Sequence, residues 1–286
     1  MRSRMLALKA VALVTAVAAC SRAPAPVPDV VLVAASALPA DPGDEAWNAV
    51  PEHVAKLLLQ DLVEPRLQQA STPEVRVRGV VNGGQLALRL EWADASTDDL
   101  PGAGRFNDAC AVQLPQHAAA AVPDPQMGTA GNGVTITFWR ADWQATVNGR
   151  GDTIRDLYPN ASIDHYPFEA SPLEKGSAAQ QKMATQYAPA EGANNRRGGA
   201  RTSAVEDLIA EGPGTLAPAP ATQSSGRGVR TASGWAVVIS RPVPEGLSPS
   251  SPSQVAFAVW DGGRQEAGAR KMRTGWIPIS IRAVPR

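Results

Sequence analysis

The feature that most constrains the fold is an alternation of apolar and polar residues on both sides of a glycine-rich turn. Residues 75–78 read Val-Arg-Val-Arg, residues 86–92 read Leu-Ala-Leu-Arg-Leu-Glu-Trp, and Asn82-Gly83-Gly84 lies between them. Successive side chains of a strand point to opposite faces, and Asn-Gly is a strong signal for a tight hairpin turn. We therefore predict a β-hairpin over 75–92 with one buried face that carries Leu86, Leu88 and Leu90.

Further segments have the composition of short strands. They are rich in β-branched and aromatic residues, are bounded by Gly and Pro, and cover 30–34, 109–114, 134–143, 235–243, 254–260 and 276–284. Segment 53–63 is compatible with a short helix or an extended strand. No helical periodicity is long enough for a βαβ unit. The expected fold class is all-β, an antiparallel β-sandwich with short helices, long irregular loops over 144–204 and 212–230, and most of the seven Trp side chains in its core.

The N-terminus predicts export and lipidation. A basic start with Arg2, Arg4 and Lys9 precedes an apolar run that is too short to span a bilayer, and Ala18-Ala19-Cys20 resembles a bacterial lipobox. Residues 1–19 are expected to be a signal peptide, and 20–29 a Pro- and Ala-rich tether ahead of a domain over 30–286. The alternative is an ordinary signal peptide that is cut nearby. Ser21 after the cysteine favours anchoring in the outer membrane, on the periplasmic side, over the inner membrane.

Charge and cysteine content exclude several classes of function. The chain has 27 basic and 27 acidic residues, and removal of 1–19 takes away three basic ones, which leaves 24 against 27. No basic excess remains, so nucleic acid is not an expected partner. If Cys20 is acylated, Cys110 has no cysteine partner for an intramolecular disulfide. The sequence has no C-x-x-C-H, which excludes covalent attachment of a c-type haem.

Motifs of common catalytic sites are absent from the sequence. His53, His117 and His165 are not paired at metal-ligand spacing, and there is no H-E-x-x-H, P-loop or G-x-S-x-G. The chain is therefore expected to be a binding or carrier protein without its own catalytic site.

A series of small motifs occurs in a fixed order along most of the chain. It consists of Trp92-Ala93-Asp94, Phe106-Asn107-Asp108-Ala109, Met127-Gly128, Phe138-Trp139-Arg140-Ala141-Asp142-Trp143-Gln144, Val205-Glu206-Asp207-Leu208, Gly234-Trp235 and Trp260-Asp261-Gly262, followed by Lys271 and Trp276. This series, over about 92–276, resembles the haem-binding gamma subunit of ethylbenzene dehydrogenase and its relatives in dimethyl sulfide dehydrogenase, selenate reductase and chlorate reductase.

The resemblance implies a sandwich like that of some carbohydrate-binding modules, with one non-covalent haem b held between a methionine and a lysine. The methionine corresponds to Met127 and the lysine to Lys271, which would be the axial ligands of the haem iron. The implied function is a cytochrome b subunit that relays electrons between a molybdenum and iron–sulfur oxidoreductase and an external carrier such as a periplasmic cytochrome c.

Two departures and three alternatives accompany this interpretation. The family subunits are usually soluble in the periplasm, whereas this chain carries a lipobox, and the two ligand positions are 271 − 127 = 144 residues apart.

Met272 competes with Lys271 for the iron. A haem-free carbohydrate-binding lipoprotein would use exposed Trp139 or Trp143 as a stacking platform. The third alternative is a lipoprotein that scaffolds a respiratory complex and has lost its haem.

Replacement of the lipobox cysteine tests the predicted anchor. Wild-type protein should fractionate with membranes, and Cys20→Ala should fractionate as soluble periplasmic protein, because acyl chains contribute about 0.8 kcal/mol per buried CH₂ to membrane binding. Immunoblots of separated inner-membrane, outer-membrane and periplasmic fractions measure this. The anchor is refuted if both proteins are soluble.

Overall fold

The computed structural model describes residues 28–117, 121–151, 154–161, 176–186, 195 and 197–282. The predicted signal peptide, Cys20 and most of the predicted tether lie outside these residues. So does His165.

The described chain is built mainly from strands. They are β1 Val30–Ala34, β2 His53–Lys56, β3 Leu58–Leu59, β4 Glu74–Asn82, β5 Gln85–Ala93, β6 Ala109–Pro115, β7 Val134–Arg140, β8 Val205–Ala210, β9 Ala217–Pro218, β10 Ser225–Arg230, β11 Gly234–Pro242, β12 Ser253–Trp260, β13 Met272–Arg273 and β14 Ile277–Ile281. The short helices are α1 Ala141–Val147, α2 Ile154–Leu157 and α3 Ala178–Gln186, with 3-10 turns at Glu45–Ala49 and Gly262–Arg264. No helix in the described ranges is long and apolar enough to cross a membrane.

Two sheets share one strand and enclose the main core. The first sheet has the order β10-β11-β5-β4-β1-β14-β12, and the second has the order β12-β6-β7-β8-β9. Residues 253–255 of β12 pair with β14, and residues 256–260 pair with β6, so β12 passes from one sheet to the other. Apolar side chains of both sheets form one buried cluster. The predicted all-β sandwich is confirmed. Among the described residues, the strands pair with one another in antiparallel fashion except for β1, which runs parallel to β4 and β14.

The predicted hairpin is confirmed as β4 and β5. Asn82 pairs with Gln85 across Gly83 and Gly84, whose φ values of +53° and +82° suit a two-residue hairpin turn. Leu86, Leu88 and Leu90 are fully buried in the main core.

The expectation of one buried face on this hairpin is wrong. A second cluster covers the outer face, where Ala87 and Val80 pack with Trp47 and Val50. Arg89 crosses this face by donating from Nε to the Pro42 carbonyl and from Nη1 to Glu91. The segment between β1 and β2 thus folds back over the hairpin.

Three other segments differ from the prediction. The strand expected over 134–143 ends at Arg140, and a helix begins at Ala141. The undecided segment 53–63 is extended, as β2 and β3. Strands β8 and β10 lie within or beside stretches that we expected to be irregular loops.

Strand β10 escapes prediction because two of its six residues are glycines. A Cβ on Gly228 would overlap the Trp139 ring, and a Cβ on Gly226 would overlap the Val205 side chain. These glycines lower strand propensity, but they leave the space in which the Trp139 ring lies against the strand.

Polar substitutions on the two faces of β5 test the register. Leu88→Asp should destabilise the protein by several kcal/mol because it buries an unpaired charge. Gln85→Asp, at an exposed position of the same strand, should change stability by less than about 0.5 kcal/mol. Urea unfolding measures both, and equal small losses would show that the register is wrong.

Candidate functional site

A cavity lies on the face of the second sheet that points away from the main core. Its volume is about 510 Å³, within the range of about 300–1,000 Å³ that is typical of ligand and cofactor sites. Strands β6, β7, β8 and β12 line its floor, and loop residues around 60–64, 105–107, 125–127, 213–216 and 266–271 line its walls.

Alanines on the floor of the cavity have short side chains and so leave space above the sheet. In the strand register, Ala258 lies beside Ala111, which lies beside Phe138, and the adjacent row is Trp260, Ala109 and Arg140. The residues that alternate with these alanines are larger apolar residues that face the main core, namely Cys110, Val112, Phe257 and Val259. Residues 109–112 of β6 and 256–259 of β12 therefore place larger apolar side chains inward and alanines outward, which leaves room above this part of the second sheet.

Aromatic rings border the alanine floor. The Phe138 and Trp260 rings make an edge-to-face contact with centroids 5.1 Å apart. Trp260 also donates from Nε1 to the Gly268 carbonyl over 3.0 Å, which fixes the loop before β13.

Met127 lines the cavity from a tightly held loop. Its φ is +74°, a left-handed conformation that costs a residue with a side chain roughly 1–2 kcal/mol. Its carbonyl accepts a hydrogen bond from Gly212 N over 2.8 Å. The segment before it is fixed to the sheets, because Gln113 Nε2 donates to the Pro125 carbonyl over 3.0 Å and Trp276 Nε1 donates to the Pro123 carbonyl over 2.7 Å.

Lys271, which directly precedes β13, lines the same cavity. Its carbonyl accepts a hydrogen bond from Gln60 N over 3.0 Å, and its Nζ lies 5.3 Å from the centroid of the Trp260 ring. Burial, with a smaller contribution from the charge of Arg273, lowers the pKa of the Lys271 amine to about 8. A larger fraction of this amine is therefore neutral near pH 7 than of an ordinary lysine.

Met272, which competes with Lys271 for the iron, does not line the cavity, and neither does either of the described histidines. Met272 is fully buried in the main core, because neighbouring residues of a strand face opposite sides. Of the histidines in the described ranges, His53 and His117 do not line the cavity.

Several arginines add positive charge to the cavity wall. Arg105, Arg140, Arg197 and Arg273 all line it. Arg140 Nη2 donates to Asn107 Oδ1 over 2.6 Å and to Asp142 Oδ2 over 2.8 Å, so its guanidinium is oriented. Burial lowers the pKa of Arg140, and the nearby Asp142 carboxylate opposes that shift.

The tryptophans that we considered for carbohydrate stacking are not accessible. Trp139 and Trp143 are 0% and 1% exposed, and the expectation that either is an exposed platform is wrong. Trp139 is held by the close approach of β10, and its Nε1 donates to Gln144 Oε1 over 3.2 Å. Trp143 is covered by Arg201, whose guanidinium carbon lies 3.9 Å from the ring centroid.

The sequence interpretation missed the floor of the cavity. The signal was present, because Ala109-Cys110-Ala111-Val112 and Ala256-Phe257-Ala258-Val259 each place alanine at every second position. That pattern distinguishes a strand buried on both faces from one that exposes a polar face to solvent.

Comparison with known proteins identifies relatives of this chain. A family model described as "Ethylbenzene dehydrogenase" matches residues 44–272. A proposed respiratory nitrate reductase heme subunit of Haloferax mediterranei is 26% identical over 245 residues, or 83% of this chain and 67% of that protein. The chlorate reductase gamma subunit of Ideonella dechloratans is 26% identical over 212 residues, or 72% of this chain and 63% of that protein. This chain thus spans about two thirds of the length of each relative.

A solved carbohydrate binding module of family 9 from Caldicellulosiruptor kristjanssonii, in complex with cellotriose, superimposes with a TM-score of 0.44 and 7% identity. The superposition covers 90% of this chain and 98% of that chain. A similarity this low carries no argument about the ligand.

Enlargement of neighbouring residues on β6 tests which face borders the cavity. Ala111→Leu should cost less than about 1 kcal/mol because its side chain enters the cavity. Cys110→Leu should cost about 1–3 kcal/mol because it overpacks the main core. Urea unfolding measures both, and a loss for Ala111→Leu as large as that for Cys110→Leu would contradict the assignment.

Proposed function

The chain belongs to the ethylbenzene dehydrogenase family, and from this membership we propose that it is a haem-binding electron-transfer subunit rather than a catalytic one. The observation that carries the proposal is the position of Met127 and Lys271. They are 144 residues apart in sequence, yet both line one cavity with an apolar floor. A thioether and a neutral amine are suitable donors to haem iron.

The residues of the cavity fit a haem. The alanine floor and the Phe138 and Trp260 rings provide an apolar surface next to a large space. The two proposed ligands come from different loops, and each loop is held by hydrogen bonds to the sheets or to a neighbouring loop. A bound haem supplies reversible one-electron oxidation and reduction of its iron.

The environment of Lys271 favours the protonation state that a ligand requires. An ordinary lysine, with a pKa of about 10.4, needs roughly 4.6 kcal/mol to lose its proton at pH 7. With a pKa of about 8, Lys271 needs roughly 1.4 kcal/mol. Burial thus reduces the free-energy cost of presenting a lone pair on Nζ.

Met127 contributes a donor without a proton. A thioether ligand raises the reduction potential of haem iron relative to harder donors, which suits an electron carrier. Loop hydrogen bonds on both sides of Met127 restrict the backbone from which its sulfur would bind.

Arginines of the wall are the residues that would pair with the carboxylates of a haem. Arg140 is already oriented by Asn107 and Asp142, and Arg105 and Arg197 line the same cavity. Arginine is suited to this role because its planar fork can bind a carboxylate through two parallel hydrogen bonds.

We propose a non-covalent haem of type b. The sequence has no C-x-x-C-H, and Cys110 is fully buried in the main core, on the opposite side of β6 from the cavity. No cysteine pair is therefore available in the cavity wall for attachment of a c-type haem among the described residues.

The names of the relatives support a place in a reductase complex. They are a nitrate reductase heme subunit and a chlorate reductase gamma subunit. We propose a molybdenum-enzyme partner with an iron–sulfur subunit, and a periplasmic cytochrome c as the external carrier. We also propose that the protein is exported, that Cys20 is acylated, and that the acyl chains anchor it to the outer membrane.

Haem content and ligand variants test the proposal. Protein from haem-replete cells should contain about one b-type haem per chain by pyridine haemochrome analysis. Lys271→Ala should open a coordination position, so that the ferrous form binds carbon monoxide. Met127→Ala should lower the midpoint potential, measured by spectroelectrochemistry.

Matched controls separate ligation from folding. Met272→Leu alters a methionine of the main core, and Lys56→Ala removes an exposed lysine, so both should keep the wild-type spectrum. Well-folded wild-type protein without haem would refute the proposal and favour the haem-free scaffold. A Lys271→Ala spectrum that matches wild type, without carbon monoxide binding, would refute the lysine assignment.

A further inference from the structure

Three aspartates from three of the ordered motifs meet at one end of the sandwich. Asp94 follows β5, Asp108 precedes β6, and Asp261 follows β12. One oxygen from each of the three carboxylates lies within 4.8 Å of the other two. We refer to Asp94, Asp108 and Asp261 as the aspartate cluster, which the electron-transfer function described above does not use.

The carboxylate of Asp108 is held in place by neutral donors. Its Oδ1 accepts a hydrogen bond from Gly262 N over 2.9 Å. Its Oδ2 accepts from Asp98 N over 2.8 Å and from Trp235 Nε1 over 2.9 Å. Asp261 Oδ1 likewise accepts from Arg264 N over 3.0 Å. These donors orient the carboxylates but add no positive charge of their own.

Asp94 has an oxygen that accepts no hydrogen bond from an N–H or hydroxyl group in the described part of the chain, and its carboxyl lies within hydrogen-bond reach of the Asp108 carboxyl. Its Oδ1 accepts from Ser96 N over 3.0 Å, which leaves Oδ2 as the oxygen that it offers to the cluster. Asp94 is only 7% exposed. A buried carboxylate oxygen without a partner costs free energy unless a proton or a cation binds it.

The charges around the cluster do not balance. Arg230 is close enough to oppose the upward shift in the pKa of Asp94, and its Nη2 donates to the Asp94 backbone carbonyl over 2.6 Å. With all three carboxylates ionised, one guanidinium leaves two negative charges. The buried Glu266 lies near Asp261, and Arg264 is close enough to oppose the rise that burial causes in the pKa of Glu266. Burial, with the nearby Asp94, raises the pKa of Asp108 to about 7, as expected where negative charge is not compensated.

We propose that the aspartate cluster binds a divalent cation of the Ca²⁺ type. Hard cations prefer oxygen ligands, and carboxylates are the side chains that most often supply them. Ca²⁺ takes about 6–8 oxygens in flexible geometry, so water completes the coordination around three carboxylates. The ion neutralises the two excess charges and provides a partner for Asp94 Oδ2.

The position of the site gives the ion a structural role. Asp108 and Asp261 directly flank Ala109 and Trp260, which are paired across β6 and β12 and line the cavity floor. An ion that joins these aspartates to Asp94 ties the end of β5, in the first sheet, to the edge of the floor. Haem need not be bound for this to occur, so the inference is independent of the proposed function.

Calcium binding by the full chain tests the inference. Protein treated with a chelator and then dialysed against CaCl₂ should retain about one Ca²⁺ per chain by elemental analysis. Thermal unfolding should shift upward by about 5–10 °C at a hundred-fold excess over the dissociation constant. Mg²⁺ should produce a smaller shift, because it requires stricter octahedral geometry and loses its water reluctantly.

Conservative variants distinguish a cation site from a purely structural cluster. Asp94→Asn should weaken Ca²⁺ binding by at least about ten-fold while stability without Ca²⁺ stays equal or rises, because charge repulsion is removed. Asp261→Asn serves as a second variant should Asp94→Asn not fold. Asp29→Asn, outside the cluster, should keep the wild-type response to Ca²⁺.

Two results would overturn the inference. If wild-type protein retains no Ca²⁺ and its unfolding temperature does not respond to CaCl₂, a shared proton rather than a cation stabilises the cluster. If Asp94→Asn and Asp261→Asn both keep the full Ca²⁺ response, the ion binds elsewhere.

Discussion

The structure depends on two strands that must be buried on both of their faces. Strands β6 and β12 carry Val112, Phe257 and Val259 into the main core, where tight packing demands large side chains. On the opposite face, Ala109, Ala111, Ala256 and Ala258 are small. A strand with this composition needs a cover on its alanine side, and the loops that provide the cover leave a cavity. The main core and the cavity thus lie on opposite faces of the same two strands.

The loops over the floor keep their positions because they are hydrogen-bonded to the sheets and to one another. The side chains of Trp276 and Gln113 hold the segment that leads to Met127, and those of Trp260 and Gln60 donate to the Gly268 and Ala269 carbonyls before Lys271. Each of these side chains belongs to a strand or to a residue beside one. The geometry of the two proposed ligands is therefore determined by the sandwich rather than by the local sequence of the loops. This dependence explains how a chain in which the ligands are 144 positions apart can keep them at one cavity.

The aspartate cluster lies where β5 and β12 end and β6 begins, and it also depends on the packing of the two sheets. Asp108 and Asp261 continue β6 and β12 beyond the floor, and Asp94 continues β5 of the first sheet. Two buried carboxylates and one half-buried carboxylate in one place oppose the association of the strand ends by charge repulsion. A proton or a cation must offset that repulsion. The motifs that align this chain with its family therefore include residues for the floor of the cavity and residues that join the two sheets.

The sequence alone determined the class of fold, the β4–β5 hairpin and the two ligand candidates. A period of two around Asn82-Gly83-Gly84 specifies a hairpin locally, and the ordered motifs selected Met127 and Lys271 by family resemblance. The tertiary structure decided what depends on distant neighbours. Gly226 and Gly228 form a strand because Val205 and Trp139 pack against them, and Ala141 begins a helix after an apolar run that had predicted a longer strand. Met272 faces the core while Lys271 faces the cavity, and three separate aspartates become one cluster. The reason is that strand propensity and turn chemistry act over a few residues, whereas burial and charge proximity arise only when segments far apart in the chain are packed together.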